Sequence, residues 1–120
     1  MYKRQHLDTG LRWRDNRLTV FVPFSLAILM AAHLFDLLSF LVMTELHGME
    51  AEANPIVVLL HQEMGLPGLT LVKLAAVVFG GAVFVFLAPQ RRRLATAVIL
   101  YGIAAGMVGG LSNVATIYAY

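Results

Sequence analysis

The chain has 120 residues, of which 59% are hydrophobic and 13% are charged, and its formal net charge is +2. A soluble domain is typically about a quarter charged, so this composition excludes an ordinary soluble domain. Cysteine is absent, which excludes disulfides and thiolate chemistry. With a mean hydropathy of +0.75, the composition indicates an integral membrane protein.

The apolar residues fall into three long blocks. Crossing a hydrocarbon core of about 30 Å takes roughly 20 apolar residues in a helix. The block lengths predict transmembrane helices over residues 18–44, 68–88 and 94–118. A basic segment (1–18), a loop (45–67) and a short turn (89–93) complete residues 1–120 as a single transmembrane domain. We therefore predict an all-α integral membrane bundle of three transmembrane helices.

The loop over residues 45–67 carries its own helix signals. Asn54 is a good helix N-cap, and Pro55 fits the first helical position. Gly65 can take the left-handed conformation that ends a helix. About ten residues cannot span a bilayer as a helix. The sequence predicts a short interfacial helix over residues 55–64 in the first outer loop, lying flat on the surface or dipping into it.

The distribution of lysine and arginine predicts the orientation. Five precede the first helix, none lie in the loop over residues 45–67, and three (Arg91, Arg92 and Arg93) lie in the second turn. Basic loops stay cytoplasmic. We predict a multi-pass protein of the cell (inner or plasma) membrane, with its N-terminus in the cytoplasm, its C-terminus outside and the lipid bilayer as its main partner.

Polar residues inside the apolar blocks are candidate site residues, because charge in hydrocarbon is expensive. At a rise of about 1.5 Å per residue, Asp36, Lys73 and Asn113 lie at similar depth in their three helices. We predict an Asp36–Lys73 ion pair with Asn113 hydrogen-bonding nearby, which holds the helices in register. The alternative is an ion, proton or small-ligand site in which His33, one turn from Asp36, takes part.

Motifs of catalysis are missing from the sequence. There is no Gly-rich phosphate loop, no Ser/His/Asp arrangement and no compact metal motif such as H-E-x-x-H. A weaker alternative is a zinc site, with ligands drawn from His33, Asp36, Glu52, His61 and Glu63. The arginine run is typical of a topology determinant that contacts anionic lipid. We predict no enzyme activity, no metal, no cofactor and no nucleic-acid partner.

Two helices carry small residues at intervals of four. They are Gly102, Gly106 and Gly110 in the third helix, with Ala105 and Gly109 beside them, and Ala76 and Gly80 in the second. Such faces allow close approach of helices in lipid. We expect the second helix to pack on the third within the chain. A dimer or a larger membrane complex is the alternative use of these faces.

The stretch from Asp36 to Lys73 resembles a family of small bacterial polytopic membrane proteins of unknown function. That family has an Asp in its first helix, then a Gly, then Glu-x-Asn-Pro, and a Lys early in the next helix. Here these residues are Asp36, Gly48, Glu52-Ala53-Asn54-Pro55 and Lys73. The resemblance implies that Asp36, Glu52, Asn54 and Lys73 form one extracytoplasmic cluster, and it implies no activity.

Two classes of function follow from these features. The favoured one is an accessory or structural subunit that packs through its small-residue helix faces, because the chain is small and lacks catalytic motifs. The alternative is a minimal proton or cation transporter or channel that uses His33 and Asp36. Three helices enclose little space, so transport requires an oligomer.

Overall fold

The computed structural model of the protein describes residues 2–52 and 54–119, with side chains from residue 17 onward. It contains three long helices, α1 (Tyr2–His47), α2 (Pro55–Leu87) and α3 (Arg92–Ala119), and a 3₁₀ turn at Met49–Ala51. In this part of the chain, all three helices are long and apolar enough to cross a membrane. The predicted all-α fold with three spans is confirmed, and the chain is a small integral membrane protein.

Glycine and asparagine set the helix ends between α1 and α2. α1 continues to His47, one turn beyond the predicted end, and stops at Gly48, whose φ of 76° is left-handed. The backbone N–H of Gly48 donates to the carbonyl oxygen of Thr44 at 2.8 Å. Asn54 caps α2 as predicted, because its side-chain oxygen accepts from the backbone N–H of Ile56 at 3.0 Å.

Gly65 divides α2 into two limbs. Its φ of 72° and ψ of −179° are not helical, so the helix is kinked there. The short limb (residues 55–64) is the helix that the sequence predicts in the loop, and the long limb (residues 66–87) is the second predicted span. Pro67 supports the break, because its ring cannot continue the preceding helical hydrogen-bond pattern. The position of the short limb relative to the membrane surface stays a prediction.

Contacts along the helices fix their directions. In α3, Gly102, Gly106 and Gly109 meet Leu29, Ala32 and Asp36 of α1 in the same order, so α1 and α3 run parallel. In α2 the order is reversed. Gly81 meets Leu26, whereas Lys73 meets Asp36, so α2 is antiparallel to α1.

The second helix does pack on the third, through the buried cluster that Phe84 of α2 shares with Ile99 of α3. The glycine face of α3, however, packs against α1, and the expectation that this face meets the second helix is wrong. A Cβ on Gly106 would lie 2.9 Å from the backbone carbonyl carbon of Ala32, and a Cβ on Gly110 would overlap the ring of Phe35. We call this interface the α1–α3 seam, and it is the most extensive in the chain. The physical reason is shape: α1 supplies Ala32, whose backbone can approach a glycine, beside Phe35, whose ring fills the next glycine gap.

The Ala76–Gly80 face of α2 does not pack inside the chain, which corrects a second expectation. A Cβ on Gly80 would meet nothing within 4 Å, and Ala76 is exposed. α2 contacts α1 through the adjacent Gly81, where a Cβ would lie 3.4 Å from Leu26 Cδ2. Successive helical residues point about 100° apart, so the contact face is rotated by one residue from the predicted one.

Two apolar clusters lie at opposite ends of the bundle. The basic end, next to Arg91–Arg93, holds a buried cluster of Leu29, Phe84, Ala88, Ala95 and Ile99. The acidic end, which carries Glu45, Glu50, Glu52 and Glu63, holds a buried cluster of Phe40, Met43 and Leu69. Val57 and Leu60 of the short limb pack on the second cluster. The polar residues of the spans lie between the two clusters.

Candidate functional site

The polar site is built around one ion pair between α1 and α2. Lys73 Nζ lies 3.4 Å from Asp36 Oδ2, and the two side chains are 23% and 18% exposed. The same ammonium lies 4.5 Å from the centroid of the Phe40 ring, a cation–π contact that strengthens when water is excluded. The pairing that the sequence predicts is present in the structure. Whether the pair has a role beyond structure stays a prediction.

Asn113 brings α3 to the same carboxylate. It is 7% exposed, and its Nδ2, which has two N–H groups, lies 3.2 Å from each of three acceptors that share them: Asp36 Oδ1, the backbone carbonyl oxygen of Asp36 and Ser39 Oγ. Ser39 Oγ in turn donates to the Asp36 carbonyl at 3.0 Å. Asp36 therefore joins all three helices. Sequence reasoning missed the part played by Ser39, although a hydroxyl three residues after Asp36 lies on the same helix face.

Gly109 makes room for the carboxylate. A Cβ at this position would lie 2.5 Å from Asp36 Oδ1 and 2.8 Å from Asp36 Cγ, closer than real Cβ atoms approach. The sequence indicated Gly109 only as a packing residue. Its spacing of four residues from Asn113 was the available signal, because that spacing puts both on one face of α3.

His33 and His47 connect α1 to the backbone of α3. His33 Nε2 lies 2.8 Å from the carbonyl oxygen of Gly102, and His47 Nε2 lies 3.1 Å from that of Ile117. A carbonyl oxygen can only accept, so each imidazole donates from Nε2. Both rings lie along the α1–α3 seam. His33 thus has a packing role next to the ion pair, whichever further role it has.

Two cavities adjoin the ion pair, and Asp36 and Lys73 line both. The apolar cleft, of about 200 Å³, lies between α1 and α2 and is lined by Met30, His33, Leu34, Asp36, Leu37, Lys73, Leu74, Ala76 and Val77. The polar chamber, of about 380 Å³, lies toward the acidic end and is lined by Asp36, Glu52, Asn54, Val57, Lys73, Ala105, Gly109, Ser112 and Asn113.

Glu52 and Asn54 enter the polar chamber from the loop. Glu52 Oε1 accepts from the backbone N–H of Asn54 at 2.9 Å. In the described part of the chain, the ion pair of Lys73 is with Asp36 and not with Glu52. The four residues of the family pattern therefore line one chamber, while Glu52 and Lys73 remain unpaired with each other.

The histidines and carboxylates do not converge as metal ligands would. Among the described residues, no three His, Asp or Glu side chains form a group that could hold a metal ion. Zinc sites require three or four such ligands around one point. The alternative of a zinc site on His33, Asp36, Glu52, His61 and Glu63 therefore has no support in the geometry.

Comparison with known proteins found no family model, no curated protein and no solved structure that matches the chain. The resemblance to a bacterial membrane family rests on its motif residues alone.

Proposed function

We propose that this chain is an accessory membrane subunit: a three-helix module that assembles on its own and then packs against a partner helix. The observation that carries this proposal is the internal neutralisation of the polar centre. Asp36 accepts from Lys73 and from Asn113, so the charges of the spans bind the helices of the chain to one another. A buried pair of this kind is better attested as a device for register than as a source of stability.

The partner helix is proposed to dock on the Ala76–Gly80 face of α2. This face contains small residues, and a Cβ on Gly80 would meet nothing within 4 Å. Small residues allow a second helix backbone to approach closely in lipid. The glycines of α3 are already occupied by α1, so they are not available for the same purpose. We propose no catalytic role for any residue of the chain.

Crosslinking in native membranes through a thiol-attached photoreactive group tests the docking face, because the chain has no cysteine of its own and the partner then needs none. Gly80→Cys carrying this group should form a crosslinked species on illumination. Val78→Cys is the matched control, since Val78 is exposed on the other side of the same helix. A band at twice 13.2 kDa identifies self-association, and a different band identifies another subunit. Equal crosslinking at both positions, or none at either, contradicts the proposal.

The proposed orientation puts the basic end in the cytoplasm of a cell-membrane protein, with the C-terminus outside. The distribution of lysine and arginine supports this orientation, with five before the first span, none in the loop over residues 45–67 and three in the second turn, because basic segments stay cytoplasmic. Reporter fusions within residues 1–12 and from Ser112 onward test it. A cytoplasmic C-terminus contradicts it, and favours a short limb that enters the membrane.

A proton or cation transporter is the second candidate function. It is favoured by one observation: His33, Asp36 and Lys73 line the same apolar cleft, and ionisable residues inside spans typically mark ion or proton pathways. Proton or cation flux into liposomes that is lost on Asp36→Asn would show that the chain is a transporter and not an accessory subunit. Absence of flux at every protein density tested, including densities that favour oligomers, excludes it.

We propose membership of the small bacterial membrane family that the Asp36-to-Lys73 pattern resembles. The common lining of the polar chamber by Asp36, Glu52, Asn54 and Lys73 supports this, because it explains why residues so far apart in sequence belong to one pattern.

A further inference from the structure

The polar chamber contains hydrogen-bond donors that the protein does not use. Lys73 has three N–H donors, and among the described residues its one hydrogen-bond acceptor is Asp36 Oδ2 at 3.4 Å. A charge-assisted N–H···O bond is ordinarily about 2.7–2.9 Å long, so this contact is long. Besides this acceptor the ammonium contacts the Phe40 ring, and two of its N–H groups have no hydrogen-bond acceptor among the described residues.

Unused acceptors lie in the same chamber. Asn113 is 7% exposed and its Nδ2 has three acceptors, but its Oδ1 accepts from no described residue. All fully buried side-chain polar atoms in the described part of the chain have a partner, so this oxygen is not fully buried, and Asn113 lines the chamber. Glu52 accepts through Oε1 alone, which leaves Oε2 as a second acceptor.

The chamber is therefore bipolar. One ammonium (Lys73) and two carboxylates (Asp36 and Glu52) give it a formal charge of −1, with spare donors on Lys73 and spare acceptors on Asn113 and Glu52. A simple cation would leave the lysine donors unused and would meet a like charge. A simple anion would meet two carboxylates. A ligand that carries both charges satisfies both sets of groups.

We propose that the polar chamber binds a small zwitterion in which a primary ammonium lies a few bonds from a phosphate or carboxylate. The ammonium donates to Glu52 and to Asn113 Oδ1, and the anionic oxygens accept from Lys73. The volume of about 380 Å³ equals roughly a dozen water molecules at about 30 Å³ each, which accommodates such a group. This inference is independent of the accessory role proposed above.

Two sources share this chemistry: the phosphoethanolamine headgroup of a lipid and a free molecule. The apolar cleft favours the lipid, because Asp36 and Lys73 line both cavities. An acyl chain in the cleft would then continue from a headgroup in the chamber. The experiment therefore has one arm for each source.

The first arm is native mass spectrometry of the unaltered chain, released from nanodiscs of equal phosphatidylethanolamine, phosphatidylcholine and phosphatidylglycerol. Choline has no N–H to donate, so loss of charge-assisted hydrogen bonds should lower its retention about tenfold relative to ethanolamine. Glu52→Gln should reduce that preference severalfold. Glu63→Gln is the matched control, since Glu63 is exposed on the short limb outside the chamber, and should leave it unchanged.

The second arm is thermal unfolding of the lipid-stripped chain in detergent, with phosphoethanolamine or phosphocholine added. Stabilisation by phosphoethanolamine alone shows that a free zwitterion suffices. A preference in nanodiscs without such stabilisation shows that the lipid is required. Equal retention of ethanolamine and choline lipids, or preferential retention of phosphatidylglycerol, overturns the proposal, and so does a preference that Glu52→Gln and Glu63→Gln reduce equally.

Discussion

The α1–α3 seam and the attachment of α2 show two ways of joining helices in lipid. At the seam, glycines of α3 let the backbone of α1 approach, and imidazoles donate to backbone carbonyl oxygens. α2 is held by side chains: by Phe84 and Leu69 in the two buried clusters and by Lys73 on Asp36, with cavities of about 200 and 380 Å³ beside the ion pair. Close backbone packing therefore joins α1 and α3, whereas side-chain burial and one charge pair join α2 to the bundle.

The largest effect should come from removing the charge that holds α2. Asp36→Ala leaves the Lys73 ammonium without its carboxylate, and loss of one partner of a buried pair typically costs about 3–5 kcal/mol. Partial exposure of both side chains places the expected loss at the lower end of this range. Chemical unfolding in detergent micelles measures it.

Adding Lys73→Ala to Asp36→Ala should restore part of the stability, because it removes the unpaired charge. Truncation of both partners can be nearly neutral. If the double variant is no more stable than Asp36→Ala, the unpaired ammonium is not the cause of the loss. The stability lost in Asp36→Ala then comes from the hydrogen bonds that Asn113 donates to Asp36.

A smaller loss should follow from overpacking the seam. Gly106→Leu places side-chain atoms where the Ala32 backbone lies, since even a Cβ would be 2.9 Å from its carbonyl carbon. Overpacking typically costs about 1–3 kcal/mol. Gly80→Leu is the matched control, because open space surrounds that position. Equal destabilisation by the two substitutions in micelles would contradict the conclusion that the seam is closely packed and the Gly80 position on α2 is open.

Removing one imidazole bond from the seam should cost less. His33→Phe keeps an aromatic ring but loses the donor to the Gly102 carbonyl, and interhelical hydrogen bonds in membranes average about 0.6 kcal/mol, with a maximum near 1.7. His61→Phe serves as the control, because His61 lies on the short limb, away from the seam. A loss well above that maximum would show that His33 also acts on the ion pair.

Single cysteine substitutions in the short limb should have the smallest effect on stability. Their labelling should nevertheless differ clearly between positions. Single cysteines at Gln62 and Glu63, which are exposed, should react readily with a membrane-impermeant reagent from outside the cell. Cysteines at Val57 and Leu60 should react poorly, because these residues pack on the acidic-end cluster. Uniform labelling along the limb would contradict its packing on the bundle.

Local signals in the sequence were enough to predict several parts of the molecule. Block length predicts the three spans, Asn54 predicts the start of α2, and Gly65 predicts its kink, because each depends on residues close in sequence. The Asp36–Lys73 contact was predictable from depth, since helical rise is constant and charges in hydrocarbon seek partners.

The choice of packing partner could not be predicted in the same way. A glycine face shows that a helix can be approached, but the shape of the opposing helix decides which helix does so. Gly106 and Gly110 fit α1 because Ala32 and Phe35 complement their shape. These residues are about 75 positions apart in the chain, so neither segment alone predicts that they match. For the same reason, the sequence did not predict that Gly109 leaves space for the Asp36 carboxylate.

The chain order of the three helices determines when each contact of the polar site can form during synthesis. Proteins emerge from the ribosome N-terminus first, so α1 and α2 exist before α3. Lys73 can therefore neutralise Asp36 before Asn113 has been made, and the nascent hairpin need not hold an unpaired carboxylate in lipid while it waits. The seam, although the closest interface in the finished molecule, is the last to assemble.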